Sequence, residues 1–135
     1  MIRKAGLIAT RTDGNGKSLV LMVRKRGHGE FLIPGGRLEE GEDFPQALFR
    51  EIHEELECRC KITRELGEVD GISAFERLPL HIRLFEGELC GEPRASSEIE
   101  EVRWLDLGSR EVPLTPITIQ EVVPLLRKLS IIGEE

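Results

Sequence analysis

The chain has 135 residues, of which 39% are hydrophobic and 33% are charged, and it carries a formal net charge of -6 with a pI near 5.2. This balance excludes a disordered chain and predicts a single domain, residues 1-135, around one hydrophobic core. The acidic balance also argues against an extended nucleic-acid partner, because DNA and RNA are bound by basic surfaces.

The cysteines and the N-terminus indicate the compartment. Cys58, Cys60 and Cys90 are odd in number and form no CxxC pair, which is typical of reduced thiols and not of a disulfide framework or a zinc site. The apolar run at the N-terminus soon meets Arg11 and Asp13, so it is too short and too polar for a signal peptide or a membrane span. We expect a cytoplasmic protein that does not associate with membranes.

Strands are predicted for the first part of the chain. Apolar runs predict strands over residues 4–12, 18–25 and 31–33, the last of which Pro34 ends. The turn signal Asp-Gly-Asn-Gly at residues 13–16 joins the first two runs, so they should form a hairpin. The second strand ends in the basic cluster Arg24-Lys25-Arg26.

A glycine-rich loop and a helix follow. Gly35 and Gly36 open the loop, which continues over residues 37–41, because glycine permits backbone angles and close approaches that other residues do not. Glu42 or Asp43 can cap a helix that runs to about residue 57, and Pro45 is tolerated in its first turn.

One side of this helix carries an excess of acids. At about 100° per residue, Glu51, Glu54 and Glu55 share a side with Arg50. The adjacent apolar side is formed by Leu48, Phe49, Ile52 and Leu56. Carboxylates three or four residues apart repel one another, so such a helix needs a counter-charge. Arg50 supplies one to Glu54, and a divalent metal ion would supply the remainder; the alternative is a solvated acidic face.

The second half continues with strands and ends in a helix. Strands are predicted over residues 58–69, 79–90 and 100–105, with a turn at Asp70-Gly71 and a polar loop over residues 91–97. Residues 118–121 resemble a capping box that opens a C-terminal helix, in which Pro124 predicts a kink or a late start. This order predicts an α/β fold of the α+β type, with a mixed β-sheet sandwiched between helices.

The polar residues of the loop and helix have a specific spacing. Their order is Gly36, five others, Glu42, seven others, Arg50-Glu51, two others and Glu54-Glu55. This pattern resembles the Nudix box, the signature of the Nudix hydrolase family, and implies a Nudix-like fold. One position departs from the pattern, since Glu57 stands where the family has Gly. Because Gly there ends the helix in a left-handed conformation, we expect a structural effect and retained activity.

The resemblance also implies a metal site. The expected ion is Mg²⁺, with Mn²⁺ as a possible substitute, and its expected ligands are the Gly36 carbonyl, Glu51, Glu54 and Glu55. Arg50 and Glu42 would hold the loop against the helix, with Gly35 beside them.

The implied reaction is hydrolysis of a nucleoside diphosphate derivative, in which water attacks a phosphorus. Arg50, Glu51, Glu54 and Glu98 form the predicted catalytic set. Glu51 is the first candidate for the general base; the alternative is Glu98, with Glu100 and Glu101 as weaker options, or these three form a solvated acidic turn.

The substrate is less well defined by the sequence. Arg24, Arg26 and Arg37 could contact phosphates or be solvated, and Trp104 could stack on a base or pack in the core. The chain has no Tyr, and Ser and Ala stand at positions 73 and 74, so the family markers for dinucleoside polyphosphates and for ADP-ribose are missing. The small size resembles the MutT-like branch, which acts on nucleoside triphosphates.

Alternatives stay open. The first alternative is an enzyme that acts on ADP-ribose or another nucleotide sugar. The second is a non-catalytic nucleotide-binding domain, although the presence of Glu51, Glu54 and Glu55 favours an enzyme. The expected partner is a small nucleotide, and family members occur both as monomers and as homodimers.

Overall fold

The computed structural model describes residues 1–133. Its strands are β1 (Ile2–Ile8), β2 (Thr10–Thr12), β3 (Ser18–Lys25), β4 (Phe31–Leu32), β5 (Gly35–Arg37), β6 (Arg59–Ile72), β7 (Pro79–Cys90) and β8 (Ile99–Leu105). Its α-helices are α1 (Phe44–Leu56) and α2 (Val123–Lys128), and a π-helical turn (Thr118–Val122) leads into α2. Within this part of the chain, no helix is long and apolar enough to cross a membrane.

The strands form two sheets. The first has the order β5-β1-β7-β6, in which β1 and β7 are parallel and the other pairs are antiparallel. In the second, β3 pairs with β2, β4 and β8. The chain passes between the sheets at Ala9, whose carbonyl accepts a hydrogen bond from the N–H of Leu21 at 2.9 Å. The predicted mixed pairing is confirmed.

Side chains alternate across both sheets and separate the core into two clusters. Leu7 and Leu21 pack in the cluster that contains the apolar side of α1. Their neighbours Ile8 and Met22 point to the opposite face and pack in the cluster that contains Leu126 of α2. Successive strand residues face opposite ways, so the two helices cover opposite faces, as predicted.

Helix α1 begins and ends where its sequence predicts. The side chain of Asp43 accepts a hydrogen bond from the N–H of Gln46 at 2.8 Å, and the Gln46 side chain accepts one from the N–H of Asp43 at 2.9 Å. Glu57 ends the helix in the left-handed region, with φ 54°. Phe49, placed on the apolar side by the wheel, is 44% exposed because it lies at the margin of the apolar arc.

Three local predictions were wrong. Asp70 and Gly71 do not turn the chain; they pair with β7, and the turn lies at residues 73–78, where the N–H of Ser73 donates to the carbonyl of Leu78 at 2.8 Å. Residues 35–37, predicted as loop, pair with β1 as strand β5, which satisfies backbone groups that a buried loop would leave unpaired.

The C-terminal capping box was also wrong. Thr118 makes no capping hydrogen bond, and its hydroxyl is bonded to that of Thr115 at 2.7 Å. The chain already has a helical conformation at Ile117, so there is no free helix start to cap. The helical segment starts at residue 116 and passes through the π-helical turn into α2 at Val123, beside Pro124, so the predicted effect of the proline is an irregular turn and not a late start.

Candidate active site

Three acidic side chains from two distant segments converge. Glu51 and Glu55 project from α1, and Glu98 comes from the segment that precedes β8. Each contributes a carboxylate oxygen to a group in which the oxygens lie within 4.8 Å of one another. Oxygen donors at this spacing are what a hard divalent cation binds, so these residues fit a metal ion.

The two glycines of β5 make room for these carboxylates. A Cβ at Gly36 would lie 2.1 Å from Oε2 of Glu51, so only glycine lets Glu51 lie against the strand. Gly35 has φ +141° and donates its N–H to Oε1 of Glu55 at 3.1 Å. A Cβ at Gly35 would lie 2.0 Å from the carbonyl oxygen of Ala5. The short strand therefore fits between β1 and the acidic side of the helix.

Burial makes these acids resist ionisation. Glu55 is only 2% exposed, and its burial raises its pKa to about 8. Burial likewise raises the pKa of Glu51, with smaller contributions from the charges of Glu54 and Glu98. Two carboxylates whose pKa values are raised in this way need a nearby positive charge to ionise fully. A bound cation would provide it.

Arg50 fastens the loop to the helix. Its Nε and Nη2 donate to the two carboxylate oxygens of Glu42 at 2.8 and 2.9 Å, and Nη2 also donates to the carbonyl of Arg37 at 2.9 Å. Nη1 donates to Glu51 at 2.7 Å. The bond from Arg50 lowers the pKa of Glu42 to about 2. These contacts join the loop to α1, and the supporting role of the pair stays a prediction.

Glu54 is placed differently from the other acids of the helix. Its side chain is 51% exposed, and its contact with Arg50 is long, at 3.4 Å. The structure does not bring it into the group formed by Glu51, Glu55 and Glu98. Its role as a metal ligand stays a prediction. His53 faces solvent.

A cleft of about 610 Å³ adjoins the carboxylates, with Glu51 and Glu98 in its wall. Of the three arginines predicted to contact phosphates, Arg37 lines it. Arg24 instead donates to Glu101 at 3.2 Å and to the carbonyl of His28 at 3.0 Å. Arg26 also donates away from the cleft, to the carbonyl of Ser97 before β8 and to the carboxylate of Glu100 within β8.

Two lysines that sequence analysis did not single out line this cleft, Lys4 from β1 and Lys25 from β3. Burial lowers the pKa of Lys4 to about 8. The Nζ of Lys25 lies 3.6 Å from the Glu98 carboxylate. The available signal for Lys4 was a second charged residue, after Arg3, in a strand that is otherwise apolar.

An aromatic pair also lines this cleft. The ring of Phe75 stacks on His28 with centroids 3.9 Å apart, and the neighbouring Glu76 forms an ion pair with Arg37. These contacts hold the turn at residues 73–78 over the cleft. Phe85 is buried in the core, whereas Phe75 is half-buried at the cleft. Trp104 packs against the α1-side core, with Arg11 above its ring at 4.6 Å.

A family model described as NUDIX domain matches residues 2–125. The chain belongs to the Nudix hydrolase family. The predicted resemblance is thereby confirmed, and membership supports the predicted enzyme class, a Nudix-type pyrophosphohydrolase.

Relatives of this Nudix protein share its fold at modest identity. "Putative nudix hydrolase 1" of Caenorhabditis elegans is 30% identical over 116 residues, which are 82% of this chain; the match spans 31% of that relative, about a third of its length. A MutT NUDIX hydrolase from Burkholderia pseudomallei is 26% identical, with a TM-score of 0.74 over 92% of this chain and 95% of that one.

A third similar structure is an Ap4A hydrolase of C. elegans in a binary complex. It is 23% identical, with a TM-score of 0.75 over 97% of this chain and 96% of that one, which shows the shared fold. The named activities of these relatives differ, and the family acts on small nucleotides with a divalent metal.

Proposed function

We propose that this Nudix protein hydrolyses the pyrophosphate linkage of a nucleoside diphosphate derivative, with a nucleoside triphosphate as the substrate and Mg²⁺ as the ion. The observation that carries the proposal is the convergence of Glu51, Glu55 and Glu98 within 4.8 Å, at the edge of a cleft with a cationic wall. A solvated acidic face would leave such carboxylates apart and exposed, whereas Glu55 is buried.

The three converging carboxylates would hold the ion, together with the Gly36 backbone beside them. When bound, the ion supplies charge neutralisation at phosphate oxygens and a more acidic water. A carboxylate of the chain would then accept a proton from that water, and the other residues of the site would hold the reacting groups in position. Glu51, the first candidate for the base, is held by Arg50 at 2.7 Å, whereas the more exposed Glu98 is contacted by Lys25 at 3.6 Å.

The cleft suits a chain of phosphates. Lys4, Lys25 and Arg37 line it together with the acidic residues, so they can balance the charge of a phosphate chain that lies beside the ion. The nucleoside would extend toward Phe75 and His28, where an aromatic face is available for stacking. The apolar pocket beneath Phe75 has only about 30 Å³, roughly the volume of one water molecule, so a base must stack at its mouth or displace the turn.

The test is a panel of nucleoside triphosphates, dinucleoside polyphosphates, ADP-ribose and nucleotide sugars, incubated with pure protein and Mg²⁺ or Mn²⁺. Release of pyrophosphate or monophosphate is measured, and we expect turnover of nucleoside triphosphates to exceed that of the other classes. Turnover of none of them with either ion would contradict the enzymatic proposal and leave a nucleotide-binding domain.

Substitutions in the acidic group test the assignment of its members. Glu51→Gln, Glu55→Gln and Glu98→Gln change the three converging carboxylates, and Glu54→Gln changes the predicted ligand that lies outside their group. Each should reduce metal-dependent turnover at least about 100-fold, since removal of a charged ligand or base costs several kcal/mol of transition-state stabilisation. Glu88→Gln, which changes an exposed acid on β7, is the matched control. Unchanged turnover of Glu54→Gln would remove Glu54 from the ligand set, and a severe loss in Glu98→Gln alone would move the base to that residue.

A further inference from the structure

The basic run at the end of β3 lies along the segment that carries Glu98. Arg24 pairs in register with Glu101, and Lys25 pairs with Ile99, with an irregularity between the two positions. Beyond the irregularity, the N–H of Arg26 donates to the carbonyl of Glu98 at 2.9 Å. The backbone of Glu98 is therefore attached directly to Arg26.

The side chain of Arg26 contacts the residues on both sides of this attachment. Its Nε donates to the carbonyl of Ser97 at 3.3 Å, and Nη1 donates to the Glu100 carboxylate at 2.7 Å. With its N–H included, Arg26 contacts three of four consecutive residues, Ser97, Glu98 and Glu100. It is oriented along this segment and not into the cleft.

Glu98 needs such an external support. Its side chain is 57% exposed, and its ionic contact is the Lys25 ammonium at 3.6 Å, which is too long to fix a carboxylate. Its place in the acidic group therefore depends on the backbone. Ser97 immediately before it has φ 57°, in the left-handed region that serine adopts only at an energetic cost.

The same segment is tied to α1. The N–H of Ser96 donates to the carbonyl of Glu55 at 3.0 Å, and the N–H of Ile99 donates to the carbonyl of Ser96 at 3.0 Å. The tight turn over residues 96–99 thus links the backbone of the buried acid to that of Glu98. Arg26 closes this turn from the β3 side.

We propose that Arg26, together with the left-handed backbone of Ser97, is a positioning residue that holds Glu98 in the metal-binding group. The proposal rests on the proposed function, because it assumes that Glu98 acts there. It replaces the predicted role of Arg26 in phosphate binding: the side chain acts through Glu98 and not on the substrate.

The experiment measures Mn²⁺ affinity of the nucleotide-free protein by calorimetry, with kcat, KM and the thermal midpoint beside it. Arg26→Gln should weaken Mn²⁺ binding about 10- to 100-fold, as loss of groups that orient metal ligands does. Arg26→Lys keeps one charged donor but cannot bond both Ser97 and Glu100, so its loss should be intermediate. Arg64→Gln removes an equally short exposed pair, Arg64–Glu86 at 2.7 Å, and should leave Mn²⁺ affinity unchanged.

The double variant Arg26→Gln with Glu98→Gln separates the possibilities. If Arg26 acts through Glu98, its substitution adds no further loss in the Glu98→Gln background. An Arg26→Gln variant with wild-type Mn²⁺ affinity and a raised KM would overturn the proposal in favour of phosphate binding. If Glu98→Gln itself binds Mn²⁺ and turns over as the wild type does, the proposed function of Glu98 fails instead.

Ser97 gives an independent test should Arg26→Gln fail to fold. Ser97→Gly tolerates the left-handed backbone and should keep Mn²⁺ affinity, whereas Ser97→Val, with its branched Cβ, should lose it about 10-fold. Equal Mn²⁺ affinities of these two variants would contradict a positioning role for this turn.

Discussion

Substitution of Gly36 by alanine tests the packing of the acidic group most directly. Gly36 lies in β5, opposite Ala5 of β1, and its backbone lies outside the left-handed region, so alanine fits the strand itself. The added Cβ would instead lie 2.1 Å from Oε2, 2.3 Å from Cδ and 2.6 Å from Cγ of Glu51. The clash is with a side chain, so the side chain should move and the fold should survive.

The expected effect follows from the size of this clash. Since an ordinary contact begins at 3.4 Å and the Glu51 oxygen would lie at 2.1 Å, the carboxylate must withdraw by roughly 1.3 Å. Metal–ligand distances tolerate only about 0.2 Å. A misplacement of about 1 Å costs about 100-fold in rate, or about 2.7 kcal/mol of transition-state stabilisation. We therefore expect kcat/KM of Gly36→Ala to fall about 100-fold.

The assay is metal-dependent release of phosphate or pyrophosphate, with Mn²⁺ affinity and the thermal midpoint measured on the same samples. Gly14→Ala is the matched control, because a Cβ at Gly14 meets no atom within 4 Å and its φ is not left-handed. If the effect of Gly36→Ala comes through Glu51, it should disappear in a Glu51→Gln background.

Wild-type turnover and Mn²⁺ affinity in Gly36→Ala would refute this account of how the strand supports the carboxylate. A large drop in thermal midpoint with equal losses in all assays would also contradict it, because the clash would then have broken the sheet and not displaced one side chain.

The remaining predictions concern the helix and the cleft. Glu57→Gly should raise the free energy of unfolding by about 0.5–1 kcal/mol. The relief of a Cβ in the left-handed region (about 1–2 kcal/mol) exceeds the cost of the added entropy of the unfolded chain (about 0.4–1 kcal/mol). Urea unfolding measures this difference, and a decrease in the free energy of unfolding would contradict the account of this C-cap. Because the pKa of Glu42 is lowered from 4.5 to about 2 by the bond from Arg50, the stabilisation that Glu42 provides over a Glu42→Gln variant should be complete above pH 4.5 and fade as the pH falls toward 2. Thermal melts of both proteins across that range test this, and a constant difference would rule it out. Phe75→Ala should raise KM about 10-fold with little change in kcat, since stacking of one base contributes about 1–3 kcal/mol. Phe75→Tyr, which keeps the ring, should match the wild type. Equal KM values for all three proteins would exclude base stacking at Phe75.

Local chemistry explains which parts of the fold the sequence could predict. Strand β3, strand β7 and helix α1 were predicted almost to the residue, because their periodicity and end signals are contained within each segment. The failures lie where distant partners decide. Asp70 and Gly71 stay extended because β7 continues to pair with them, and residues 35–37 become a strand because β1 lies alongside. Neither partner is visible in the local sequence.

In the candidate site, too, some features follow from the local sequence and others only from the tertiary structure. By itself the sequence determined the order and spacing of Gly36, Glu42, Arg50, Glu51, Glu54 and Glu55. Helix geometry alone then places Glu51, Glu54 and Glu55 on one side of α1. Only the tertiary structure decided which acids meet: Glu55 is buried against β5, Glu98 joins from a distant segment, and Glu54 stays at the exposed edge. It also brought Lys25 to the cleft and Arg26, in the turn after β3, to the segment of Glu98, because the pairing of β3 with β8 places the N–H of Arg26 against the carbonyl of Glu98.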